Sequence, residues 1–298
     1  MSLKLLNLQV FLKKQALRDC FKSLSARRNP NAGGSVLNIH DRPNEDFNNA
    51  DRLLKQSLIG PISFENHSNS LAIMGPSGSG KTTLAKSILA LHAPFLISGE
   101  IYYEGQCLQK DHRTLIAATK RSFGFIPQQA APWPHLSVQQ ALTLASSLKS
   151  KDRESSLALA EHCGLKRLLH HKPHQLSGGQ KQRLLIACAL AAKPRLLIFD
   201  EAFFALDIVA KMELINLIKS LQQEWRFMAI FITHDVAEAL AVADYILLIS
   251  DGLKIWHGPK DRLKEAPFLP SWNPLLSPLL GADRLLKQSS KPNLVLNG

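Results

Sequence analysis

From Gly75 to Thr82 the chain reads Gly-Pro-Ser-Gly-Ser-Gly-Lys-Thr, and no other stretch restricts the fold as tightly. The stretch fits G-x-x-x-x-G-K-[ST], in which glycines let backbone N–H groups turn inward around phosphate oxygens and form a nest for anions. The pattern needs a strand before it and a helix after it. Leu71-Ala72-Ile73-Met74 is a short apolar run suited to a buried strand, and Thr82 to Leu91 has helical spacing. The expected phosphate site is therefore Gly75, Pro76, Ser77, Gly78, Ser79, Gly80, Lys81, Thr82 and Thr83. Lys81 would reach the terminal phosphates, the Thr82 hydroxyl would ligate Mg²⁺, and the helix N-terminus would add its positive dipole end. A Gly/Ser-rich surface turn is the plainer alternative, opposed by the coincidence of lysine, hydroxyl and strand-helix context.

Phosphoryl chemistry also needs a carboxylate for the metal and a group to orient water. Leu196-Leu197-Ile198-Phe199-Asp200-Glu201 supplies both: four apolar residues ending in two acids describe a buried parallel strand whose carboxyl end faces a ligand crevice. Asp200 would hold Mg²⁺, and Glu201 would be the general base polarising water for attack on the γ-phosphate. Phe231-Ile232-Thr233-His234-Asp235 repeats the pattern and places His234 at the same sheet edge, as a candidate γ-phosphate sensor. By themselves the acid pair also suits a helix cap, and the histidine a loop residue.

From about Leu53 to Pro259 the chain resembles ABC-type ATPases, the nucleotide-binding subunits of membrane transporters. The resemblance implies an α/β fold: a P-loop NTPase core with a small antiparallel β subdomain and an α-helical subdomain. It makes Leu176-Ser177-Gly178-Gly179-Gln180 the signature that contacts ATP held by the opposite subunit. The Ser177 hydroxyl, the Gly178 and Gly179 amides and a helix over Gln180 to Ala192 would form that second anion site. By the same resemblance Gln128 joins metal and water to the helical subdomain, Ala205-Leu206-Asp207 lines the interface between copies, and His234 is the switch histidine. ATP and Mg²⁺ are the implied cofactors. The implied partners are transmembrane permease subunits, a second ATPase subunit (the same or a different chain) in a head-to-tail pair, and a solute-capture protein; the chain itself is expected to sit peripherally at the cytoplasmic face of the inner membrane. Lys172-Pro173-His174-Gln175, Leu206-Asp207-Ile208-Val209-Ala210-Lys211 and Phe231 to Asp235 resemble the peptide and nickel importers in wording.

The organisation expected around these anchors is an N-terminal strand plus insertion over 1–52, the ATPase domain over 53–259 with its helical subdomain at about 129–180, and a tail over 260–298. Leu58 to Glu65 and Gly99 to Tyr103 suit strands of the small antiparallel sheet; Ser137 to Leu148 and Ser155 to Cys163 suit amphipathic helices. Leu3 to Phe11 alternates as a strand, which makes Phe11 the adenine-stacking candidate and implies an insertion over about Gln15 to Arg52. Phe47 is the rival, and for either residue core packing is an equal alternative. Trp133, between Pro132 and Pro134 just after Gln128, suits contact with a membrane-spanning partner or packing within a loop. Two departures stand out: Ala202-Phe203-Phe204 where the family has proline and small polar residues, and a tail from Lys264 with Pro267, Pro270, Pro274 and Pro278.

Charge weighs on the rival reading. The net charge of +12 is concentrated at the ends: 1–28 holds seven basic residues against one acid, and 252–298 holds seven against three. A soluble ABC-type ATPase acting on nucleic acid or ribosomes would spread basic surface over the body, so no nucleic-acid partner is expected. A degenerate ATP-binding partner subunit is a third reading, suggested by Phe203 and Phe204. No apolar run approaches the roughly 18 residues of a spanning helix. The scattered cysteines (Cys20, Cys107, Cys163, Cys188) favour a reduced setting over disulfides or zinc, and with the last at Cys188 no iron-sulfur cluster is expected near the C-terminus. His170, His171 and His174 suit a solvated loop better than a metal site.

Overall fold

A computed structural model describes residues 1–12, 58–91, 95–147, 153–204 and 206–266. Phe47, Ala205, the segment Gln15 to Arg52 and the tail beyond 266 lie outside the described residues. Two sheets organise the rest. β1 (Leu3–Leu12), β2 (Ile59–Asn66), β4 (Phe95–Tyr103), β5 (Gln106–Lys110) and β6 (Arg113–Thr114) form an antiparallel sheet in the order β2-β1-β4-β5-β6. β3 (Ser70–Met74), β7 (Phe123–Ile126), β8 (Leu196–Asp200), β9 (Met228–Thr233), β10 (Tyr245–Ser250) and β11 (Leu253–Pro259) form the other, in the order β11-β10-β3-β9-β8-β7. Every pairing in it is parallel except that of the edge strand β11. The helices are α1 (Lys81–Ile88), α2 (Val138–Ser147), α3 (Arg153–His162), α4 (Gly178–Ala191), α5 (Ile208–Trp225) and α6 (Val236–Val242).

The short apolar runs form interior strands because both faces of the parallel sheet are covered, and the twofold period of a strand sends alternate residues to opposite cores. Leu71, Ile73, Ile198, Ile230, Ile232, Leu247 and Ile249 pack with α1 and the antiparallel sheet. Ala72, Met74, Leu197, Phe199, Ala229, Phe231, Ile246 and Leu248 pack with α2 to α6. Arg121, buried on the first side, donates to the carbonyls of Ile88, Ile116 and Leu108 and so ties α1 to β5. Burial pushes its guanidinium down to about 10.

Helix ends differ from the sequence expectation for local reasons. α1 stops short of Leu91 because Ala90 turns left-handed (φ 59°), with Leu91 N–H donating to Lys86 O at 2.8 Å and Ala90 N–H to Ser87 O at 3.1 Å, the closure of a Schellman motif. α4 begins earlier than Gln180, because the Ser177 hydroxyl accepts from Gln180 N–H at 3.3 Å while the Gln180 side chain accepts from Ser177 N–H at 3.0 Å. This capping box fixes the first turn at Gly178.

Candidate active site

Parallel pairing brings the carboxyl ends of β3, β7, β8 and β9 to one edge. Met74 pairs with Thr233, Asp200 with Ile232 and Ile126 with Phe199, so Gly75, His234, Glu201 and Gln128 all follow strand ends at that edge. In the loop leaving β3, Gly78 and Gly80 take φ of 81° and 96°, a conformation that favours glycine. At Gly75 the constraint is space: an added Cβ would lie 2.2 Å from Ile249 O and 2.5 Å from Ser79 Oγ.

Lys81, the first residue of α1, folds back over this loop. Its Nζ donates to Gly75 O at 2.8 Å and Pro76 O at 2.9 Å. Burial holds its ammonium below the usual lysine range, and the nearby Glu201 and Asp200 carboxylates oppose that shift. The next side chain, Thr82, donates its hydroxyl to Asp200 at 3.0 Å and 2.9 Å from the two carboxylate oxygens. Asp200 is buried, which raises its pKa; the Thr82 bond pulls the other way.

Glu201 is the hub of the second half. Its backbone is left-handed at φ 49°, and its N–H still donates to Ile232 O at 2.9 Å, extending the β8–β9 ladder by one step. That twist sends its carboxylate toward both neighbours. Gln128 Nε2 donates to Oε2 at 2.8 Å, and His234 Nδ1 lies 3.3 Å from Oε1.

Three features fit a magnesium nucleotide. Ser79 Oγ is buried with no hydrogen-bond partner among the described residues, inside the loop whose glycines leave room for backbone amides to reach an anion. Thr82, Asp200 and Gln128 offer only oxygen donors of the hard kind that Mg²⁺ takes. Gly80 caps α1 without any side chain, leaving the helix N-terminus open toward a ligand.

The structure brings Gly75 to Thr83, Asp200, Glu201, Gln128 and His234 together on one edge, but not the segment Ser177 to Gln180. Ser177 and Gly178 are exposed at the start of α4, and the Ser177 hydroxyl caps that helix. A Cβ added at Gly179 would lie 3.8 Å from Ala210 Cβ of α5. Asp207 caps α5 through Ala210 N–H at 2.9 Å. Phe11 is half-buried in β1 opposite Leu96. Trp133 is 42% exposed.

The two phenylalanines after Glu201 divide. Phe203 is buried against Phe199 and Phe231, with ring centroids 6.0 and 6.1 Å away, whereas Phe204 is 69% exposed and stands 6.1 Å from the His234 ring. Sequence reasoning treats this pair as a departure and as the hint of a degenerate subunit; the apolar run of β8 is the available signal that one ring would go inward. It quotes Lys211 for resemblance alone and assigns it no role, whereas Lys211 pairs with Asp235 at 3.3 Å and Glu238 at 3.2 Å and so pins the turn after His234 to α5.

Residues 61–204 match the family model described as ABC transporter. Among curated proteins, the chain is 36% identical over 203 residues to the molybdenum import ATP-binding protein ModC 2 of Bradyrhizobium diazoefficiens, covering 67% of this chain and 22% of that protein. It is 36% identical over 204 residues to the sulfate/thiosulfate import ATP-binding protein CysA of a Synechocystis species, covering 67% and 56%. With the glycine betaine/carnitine/choline transport ATP-binding protein OpuCA of Bacillus subtilis it shares 33% identity over 230 residues, covering 75% and 57%. The matched region is thus about half of CysA and OpuCA and a smaller share of ModC 2.

Proposed function

We propose that this chain, which carries an ABC transporter ATP-binding domain, binds and hydrolyses ATP with Mg²⁺ to power solute import through separate transmembrane permease subunits. The observation that carries the reading is the convergence of Gln128 and His234 on the two oxygens of Glu201. A carboxylate held from both sides at a strand end, beside a phosphate cradle, is arranged to take a proton from water. Mg²⁺ would supply charge neutralisation of the phosphates and would be held by Thr82, Asp200 and Gln128.

The chain's own residues do the rest. Gly75 to Thr83 bind phosphate oxygens, with Lys81 exchanging its two loop carbonyls for the ligand. Glu201 is the general base, Gln128 couples it to the helical arm, and His234 presents its ring to the terminal phosphate. Ser177, Gly178, Gly179 and Gln180 complete the site of a second ATPase subunit, identical or different, in a head-to-tail pair. That pairing is supported by an apolar tract beside the signature: Phe204, Ile208, Val209 and Met212 are 69%, 81%, 68% and 46% exposed.

Such a subunit would work peripherally at the cytoplasmic face of the inner membrane, in a system that includes a solute-capture protein. No helix among the described residues is long and apolar enough to cross a membrane. The wording around the signature resembles the peptide and nickel group, while relatives are named for molybdenum import, sulfate/thiosulfate import and glycine betaine/carnitine/choline transport. The cargo proposed is accordingly a small solute, with its identity set by the membrane and capture subunits.

Glu201→Gln tests the chemistry. ATP turnover by the purified chain should fall to background while nucleotide binding persists; unchanged turnover overturns the assignment. Co-purification tests the role: recovery with membrane-spanning proteins supports it, and recovery with RNA or DNA in their place overturns it.

A further inference from the structure

We propose that Phe204 is a positioning residue for His234, clasping the imidazole against the Glu201 carboxylate. The inference rests on the hydrolytic reading above and adds a residue to it. At 3.3 Å the contact between His234 Nδ1 and Glu201 Oε1 is long, and one long contact leaves a ring free to swing. The His234 side chain is 43% exposed, so burial does not hold it either. Among the described residues its aromatic neighbour is Phe204, with ring centroids 6.1 Å apart and planes 54° apart.

Phe204 is itself held by the chain on both sides. Its N–H donates to Glu201 O at 3.2 Å, so Glu201 and Phe204 are the two ends of a single tight turn, and Leu206 N–H donates to Phe203 O at 3.2 Å just beyond. Between those ends Phe203 is locked into the core stack with Phe199 and Phe231. An inward Phe203 sets the direction of the residue after it, so Phe204 projects outward beside the end of β9. The result is one turn that grips His234 twice, by a carboxylate at one end and a ring at the other.

The test is a double-mutant cycle in steady-state ATP hydrolysis. Phe204→Ala should lower kcat about tenfold, equivalent to about 1.4 kcal/mol of transition-state stabilisation, with KM within about twofold. Phe204→Tyr should restore it. In the His234→Ala background Phe204→Ala should have no further effect. Wild-type turnover in Phe204→Ala, or the same tenfold loss in both backgrounds, overturns the proposal. An independent readout is the imidazole ¹H–¹³C spectrum of the whole chain. The His234 signal should shift when the ring current of Phe204 is removed and return in Phe204→Tyr; an unmoved signal also overturns the proposal. Failure of the hydrolytic reading would show in Glu201→Gln and leave this spectrum unaffected.

Discussion

The Thr82 hydroxyl sits between the two carboxylate oxygens of Asp200, at 3.0 and 2.9 Å, although 118 residues separate them in the chain. A hydroxyl has one proton, so it can satisfy one oxygen at a time; the Lys86 and Lys81 ammoniums offset part of the cost, but burial outweighs them and leaves this carboxylate under-compensated until a further cation arrives.

Asp200→Asn should therefore raise the stability of the ligand-free chain by on the order of 1 kcal/mol at neutral pH, while abolishing Mg²⁺-dependent ATP turnover. Burial raises the folded pKa of Asp200, so the wild-type penalty exists while the carboxyl is ionised. The variant's advantage should shrink as pH falls through that pKa and the wild-type group takes up its proton. Chemical denaturation at several pH values measures it. A destabilised Asp200→Asn at neutral pH would contradict the assignment.

The two loop glycines should respond differently to a methyl group. Gly78→Ala meets open space and carries only the cost of a left-handed backbone, about 1 kcal/mol. Gly75→Ala drives a Cβ to 2.2 Å from a backbone carbonyl and should cost about 3 kcal/mol or more. Thermal unfolding separates them, and nucleotide affinity should fall much further in Gly75→Ala.

Adjacent phenylalanines should differ as sharply. Phe203→Ala removes a ring from the stack on Phe199 and Phe231 and should destabilise the fold by about 3–5 kcal/mol. Phe204→Ala, at an exposed position, should change stability by no more than about 0.5 kcal/mol. Urea titration of the two variants decides this. Equal losses would place Phe204 in the core.

His257 on β11 predicts acid sensitivity away from the site. It lies beside the rings of Phe64 and Tyr245, its Nε2 is buried without a partner among the described residues, and burial pushes its pKa down to about 4 from 6.5. The neutral ring is what the fold accepts, so the unfolded chain gains its proton first. Stability should fall as pH drops from 6.5 to 4, by at most about 3 kcal/mol, and His257→Gln should flatten that part of the profile. A profile unchanged by the substitution would exclude His257 as its source.

Much of the phosphate edge could be read in the sequence because it is built from local signals. A glycine pattern sets the loop, and apolar runs ending in Asp200 and His234 set the strand ends. Pairwise convergence was harder to read. Nothing near Gln128 announces that its amide reaches Glu201, since that contact depends on β7 lying beside β8. Arg121 was invisible for a similar reason: its three carbonyl partners come from α1, β5 and the loop before Ala118, and only the packed chain collects them. Helix ends were misplaced where a side chain decides the first turn, as at Ser177, or a left-handed residue decides the last, as at Ala90.

The division of the interior by the parallel sheet has a mechanical consequence. Each central strand contributes one row of side chains to the layer holding α1 and the other row to the layer holding α2 to α6. The strands act as a bulkhead, so a shift of the helical layer has little apolar contact through which to disturb the floor beneath Lys81. Movement on that flank is communicated chiefly at the rim, through Gln128, Glu201 and His234, where polar contacts can be exchanged without breaking a core.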